Sequence, residues 1–273
     1  MSIELILHRS APAIVAMALA AQAQAQDVCP AYVGQTVTPT TIDAAIAAVS
    51  RVPGVKGEFE TTAQFEARQA AASGGTLGRM IVAKSPERKY FEYDADAGKL
   101  RIKSYAFDNI NVDYDDVFGY GTKFYEKVKY SHLSYNLDVV MSETEVPTGS
   151  YVGGNAFGAK TRVTKKTRTT KVIFDHDAAS YDEGLFPGAD KDAVIGELAL
   201  SPAEAQRLKA TMRVAFAITP KAPYFASGVK NWGNATIDNP EEVRQPISVV
   251  IADIQCGLLL DAGGKVLAAY PTR

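Results

Sequence analysis

Apolar side chains at Ile42, Ala45, Ile46 and Val49 recur at the i, i+3, i+4, i+7 spacing that lines one face of an α-helix. Thr41 opens that segment and Pro53-Gly54 closes it. A second helix is expected from Thr61, because Gln64 three residues on completes a capping box. It passes Phe65 and Arg68, runs to about Ala72 and stops at Gly74-Gly75. The third helix carries the fullest start signal: Ser201 as N-cap, Pro202 at the first helical position and Glu204 at N3. Its inner face is Ala205, Leu208 and Met212.

Between these helices, short apolar or alternating runs bounded by turn residues predict strands. They are Arg79–Val82, Lys89–Tyr93, Leu100–Tyr105 after the turn Asp96-Ala97-Gly98, Phe124–Tyr130, Tyr135–Met141, Thr161–Phe174, Val194–Leu200, Val214–Ile218 and Ile247–Ile254. Leu258–Leu260, Asp261–Gly264 and Val266-Leu267 read as a closing hairpin. Strands and helices do not alternate, which argues against a doubly wound parallel sheet. The fold class expected is α+β: mostly antiparallel β with about three short helices, as a single compact β-rich unit over residues 26–273. A candidate subdivision lies near 185–200.

The first 25 residues read differently. Arg9 precedes an apolar run from Ala11 to Ala21, and Ala21–Gln26 repeats Ala-Gln. A short apolar run ending in small-x-small triplets has the form of a secretory signal peptide, cleaved after Ala25 or Ala23. It is shorter than the roughly 20 apolar residues that span a bilayer, and no other apolar stretch predicts a transmembrane segment. The expected location is therefore periplasmic or secreted. The chain has two cysteines, Cys29 and Cys256, 227 positions apart. In an oxidising compartment an even count favours a disulfide, which would tie the mature N-terminus to a C-terminal strand.

Composition narrows the classes further. Among 273 residues, 47% are hydrophobic and 22% charged, with 29 Lys+Arg against 31 Asp+Glu and a net charge of -2. That excludes wholesale disorder and gives no global reason to expect a nucleic-acid partner.

Candidate chemistry is sparse. After the leader only His132 and His176 remain, and no His-Glu-x-x-His, Gly-x-Ser-x-Gly or phosphate-loop pattern occurs. No cofactor, metal site or catalytic set is assigned. Asp175-His176-Asp177, with Asp182 and Glu183 nearby, is the densest polar cluster. It reads as a solvated loop or as an acid/base or metal site. Asn109, Asn111, Asp113 and Asp115 alternate on one strand face, either a half-exposed strand or an oxygen ladder for calcium; the EF-hand glycine and closing Glu are missing. Lys160, Arg162, Lys166 and Arg168 share one face of an extended strand that also holds Lys165 and Lys171. They are candidate anion-binding residues, or lysines protecting an edge strand from aggregation. Without interleaved aromatics they do not suit nucleic acid. Trp232 sits in an expected Gly/Asn loop over Gly228–Asn234, as a packing anchor or a sugar-stacking platform.

Three motifs carry a resemblance. Lys56–Arg68, Tyr151–Gly158 and Leu200–Ala205 together resemble segments of an uncharacterised group of exported bacterial proteins of unknown function. The resemblance implies export and no activity. The leading expectation is a non-enzymatic binding or structural module of the bacterial periplasm, with an anionic envelope component or another protein as partner. The alternative is a hydrolase or metal-dependent enzyme using Asp175, His176 and Asp177.

Overall fold

The computed structural model describes residues 28–75, 77–107, 138–175, 186, 193–233 and 235–272. Its helices form where local capping dictates. Helix α1 (Ile42–Val49) starts at Thr41, whose hydroxyl accepts from the Ala44 N–H at 3.2 Å, and it buries Ile42, Ala45 and Val49. Helix α2 (Thr62–Ser73) opens on a reciprocal Thr61/Gln64 capping box and ends at Gly74, whose φ of 51° is left-handed, the conformation glycine adopts without a Cβ penalty. Helix α3 (Pro202–Thr211) opens on the matching Ser201/Glu204 box and buries Ala205 and Leu208.

Two strands of 20 residues each, β7 (Arg213–Trp232) and β8 (Glu241–Leu260), form the antiparallel spine of the larger sheet. Strand β1 (Met80–Lys84) lies on the free side of β7. The other side of β8 is divided along its length. Its first half pairs in parallel with β5 (Lys160–Asp175), and its last five residues pair antiparallel with β9 (Val266–Pro271). Strand β4 (Asp138–Gly154) pairs with β5 and ends this sheet. A smaller antiparallel sheet is made of β2 (Phe91–Asp94), β3 (Lys99–Lys103) and β6 (Val194–Ala199), with β3 in the middle. The result is a compact, β-rich α+β fold whose pairings are mostly antiparallel.

One face of the larger sheet presents Val214, Phe216, Ile218, Val250, Ile254 and Leu259 to the core. Against it pack Ile42 and Val49 of α1, Phe91, Leu100 and Ile102 of the smaller sheet, and Leu208 of α3. At the centre, Phe107 meets Phe186, Phe216 and Tyr270 edge-on, with centroids 5.4, 6.0 and 5.6 Å away, the arrangement aromatic quadrupoles favour. Gly257 is what admits them: a Cβ there would lie 2.8 Å from Phe107 and 2.9 Å from Phe186. Burial pushes the Tyr270 phenol up to about 12.

On the opposite face, residues 28–40 form a strap across the end of the sheet. Gly34 and Val37 donate to Val266 and Gly264 near β9, whereas Thr40 exchanges hydrogen bonds with Ile81 and Ala83 on β1. Cys29 and Cys256 form the expected disulfide, buried among Ala215, Ala217, Leu258 and Leu260.

Several expectations are corrected. The basic strand is not an edge: β5 lies between β4 and β8, and β4 takes the edge position. Gly228–Trp232 is strand rather than loop, paired with Val243–Ile247. Leu258–Leu260 continues β8 instead of starting a new strand. Residues 88–90 form a turn of 3-10 helix before β2. The expected strand Phe124–Tyr130 and the leader lie outside the described residues.

Gly257→Ala should destabilise the protein by about 1–3 kcal/mol, because the added methyl overpacks two rings held in place by the sheet. A urea midpoint unchanged from wild type would show that Phe107 and Phe186 can retreat from Gly257.

Candidate functional site

The side chains of β5 change character in steps along the strand. At its C-terminal end Val172, Ile173 and Phe174 are buried in the sheet. Next comes Thr170, also buried, whose hydroxyl donates to Glu143 at 3.1 Å and accepts from the Gln245 amide at 2.8 Å. Beyond it lie Arg168 and Lys166, then Arg162 and Lys160 at the far end. All four cations share one face, because the two bulges of the β4–β5 pair fall on β4 and leave β5 regular.

Arg168 and Lys166 are neutralised within the sheet. The Arg168 guanidinium reaches Glu145 at 2.8 Å and Glu143 at 4.0 Å. Lys166 reaches Glu241 at 2.6 Å and Glu145 at 3.3 Å. These carboxylates come from β4 and β8, the two neighbours of β5, so the charges meet as cross-strand pairs. Hydrogen bonding from Arg168, then Lys166, holds the Glu145 carboxyl below its ordinary value; Glu241, with Glu145, raises the Lys166 ammonium. On the other face Lys171 pairs with Asp43 of α1 at 2.5 Å.

The far end is different. Among the described residues Lys160 and Arg162 form no ion pair, and Arg162 meets only the Ser150 hydroxyl at 3.2 Å. Lys165 stands 5.1 Å above the Tyr151 ring and 3.9 Å from Glu242. Glu242 accepts from the Tyr151 hydroxyl at 2.6 Å, which raises that phenol above its usual range. Next to this group is a cleft of about 290 Å³ whose lining includes Thr148, Lys165, Lys166, Asn231, Glu242 and Arg244. Arg244 also has no ion pair among the described residues. No Asp or Glu occurs between Glu145 and Asp175 in the sequence, and pairing with β8 stops at Thr164, so neither neighbouring strand offers Lys160 or Arg162 a carboxylate.

No protein-family model, curated protein or solved structure matches the chain. The remaining candidates therefore rest on their own geometry. Asp175 is buried at the end of β5, where its Oδ1 accepts the Ile254 N–H at 3.3 Å. This carboxylate serves the backbone beside the β8 bulge. His176, Asp177, Asp182 and Glu183 lie outside the described residues, as do Asn109, Asn111, Asp113, Asp115 and His132. The described residues contain no group of three or more His, Cys, Asp or Glu placed to hold a metal. Trp232 ends β7, and its side chain is outside what is described.

The first motif has a structural use. Glu60 receives Arg68 at 2.8 and 2.7 Å and the Gly57 N–H at 2.9 Å. The Arg68 hydrogen bond, with Gly57, lowers the Glu60 carboxyl to about 2. This clamp fixes the loop ahead of α2 and leaves Phe59 exposed.

The ion-pair pattern gives a direct test. Lys166→Glu with Arg168→Glu places new carboxylates beside Glu143, Glu145 and Glu241, so the double variant should unfold at lower urea with no ligand present. Because the Glu145 pKa is depressed by folding, its stabilisation is present above the unfolded-state value of 4.5 and fades as pH falls below it. The gap between variant and wild type should narrow on acidification; a gap that is absent at neutral pH would remove the cross-strand pairing from the account.

Proposed function

We propose that this chain is an exported, non-enzymatic binding module that engages an anionic partner through the distal end of the β4–β5 hairpin. The observation that carries this reading is the split along β5. Its inner cations have carboxylate partners supplied by the sheet; Lys160 and Arg162, past the end of β8, have none among the described residues. A positive patch held on a rigid strand favours association with an anionic surface and sets its salt dependence.

Export is supported by the leader pattern of residues 1–25 and by the buried disulfide, a bond that persists in oxidising compartments. No helix among the described residues is long and apolar enough to cross a membrane. The resemblance of the Lys56–Arg68, Tyr151–Gly158 and Leu200–Ala205 motifs to exported bacterial proteins belongs to the same reading.

Two measurements check it. Lys160→Glu with Arg162→Glu should leave the urea midpoint at the wild-type value while affinity for a polyanion such as heparin falls at least tenfold and loses its salt dependence (roughly fivefold per cation). An unchanged affinity places binding elsewhere on the molecule. For export, the intact mass of protein recovered from the host envelope should lack Met1 to about Ala25; mature protein that retains Met1 would contradict the leader.

A further inference from the structure

We infer that the tip of the β4–β5 hairpin is an interfacial anchor that docks the protein on an anionic phospholipid bilayer, an inference that rests on the anion-binding reading above and names its partner. The hairpin outruns the sheet. Pairing of β5 with β8 begins at Thr164↔Glu241, whereas β4–β5 pairing continues through Tyr151↔Val163 to Gly154↔Lys160. Four residue pairs, about 13 Å at the usual strand rise, therefore extend past β8.

The turn at the end is preorganised. The Asn155 side-chain oxygen accepts from the Phe157 and Ala159 N–H groups, both at 3.0 Å. The Asn155 backbone exchanges bonds with Ala159 and Gly158 at 3.0 Å each, and Gly158 takes the left-handed φ of 82°. These bonds hold Phe157 outward at 96% exposure, with Val152 on the arm behind it at 63%. An apolar ring fixed in water at the apex of a rigid turn has an evident use when a partner covers it.

Charge identifies that partner. Residues 153–159 contain Gly, Asn, Ala and Phe alone, with no charge. Immediately behind this apolar apex stand Lys160 and Arg162, and further back Lys165 and Tyr151. An apolar apex with a cationic collar and a tyrosine behind it matches the layering of a bilayer interface: acyl boundary, anionic phosphates, aromatic belt. The long stems of Lys160 and Arg162 can lie along the apolar layer while their charges stay with the phosphates. A folded protein partner fits less well. Residues 151–163 are fewer than the roughly 20–30 residues per side of a standard protein interface, whereas a lipid surface yields around a small apex.

Co-sedimentation of the purified full chain with vesicles tests the assignment. Wild type should bind vesicles of phosphatidylcholine mixed with phosphatidylglycerol and not vesicles of phosphatidylcholine alone. Phe157→Ser should weaken binding to the mixed vesicles roughly tenfold, the order expected for losing a buried aromatic ring, and leave heparin affinity and the urea midpoint unchanged. A Phe157→Trp variant should gain blue-shifted emission on the mixed vesicles, over the Trp232 background of wild type. Heparin binding without vesicle binding, or vesicle binding that Phe157→Ser does not weaken, overturns the lipid anchor and leaves the binding-module reading in place. Loss of neither interaction in Lys160→Glu with Arg162→Glu overturns both.

Discussion

Everything in the larger sheet depends on β8 having two different neighbours along one edge. Its first half is held in parallel register by β5 and its last turns by β9, while β7 runs along the whole of its other side. A strand of 20 residues is long against the usual five or six, and its ends serve different tasks. The longer C-terminal segment, Ile247 to Leu260, is mostly buried: the smaller sheet and helices pack on Val250, Ala252, Ile254 and Leu259, and the disulfide-fastened strap packs on Cys256, Leu258 and Leu260. The N-terminal segment, Glu241 to Gln245, contributes Glu241 to Lys166 and Glu242 to the Tyr151–Lys165 group.

That division explains why β5 grades from core to charge. Burial decides the side chains near Phe174, hydrogen bonding decides Thr170, and cross-strand neutralisation decides Arg168 and Lys166. Beyond Thr164 there is no β8 residue left to supply a carboxylate, so the cations there face solvent. Stability and recognition thus occupy successive stretches of one strand, and a substitution in one stretch should be separable from the other. The edge strand β4 protects itself by other means: Pro147, two bulges and the exposed carboxylates of Glu143 and Glu145.

The helices were legible in the sequence because capping is local. Thr61/Gln64 and Ser201/Glu204 announce their positions within four residues, and the third boundary agrees with Thr41. The cysteine pair was legible from compartment chemistry alone. The long strands were not, since β8 opens on the polar run Glu241–Gln245 and β7 closes on Ser227–Trp232, and neither run keeps the alternation that marks a half-buried strand. The irregularity at Lys221–Tyr224, opposite Ile251, interrupts β7 further. The parallel β5–β8 pair depends on residues 77 positions apart in register, beyond any local signal. One clue was available and was missed: Glu143-x-Glu145 and Lys166-x-Arg168 have the same spacing on either side of the Gly153–Gly158 turn, as the complementary arms of a hairpin would. Taken by itself the basic run suggests an edge strand or an anion-binding face, whereas Arg168 and Lys166 meet the carboxylates of β4 and β8.

The central claim is that β5 contains a neutralised segment and an uncompensated one. Backbone amide shifts of the labelled protein, titrated with a short heparin oligosaccharide, report on each segment separately. Perturbations are expected to concentrate at residues 151–163, with Lys166 to Lys171 unchanged until salt competes. Perturbations centred on Lys166 to Lys171, with Lys160 and Arg162 silent, would contradict it.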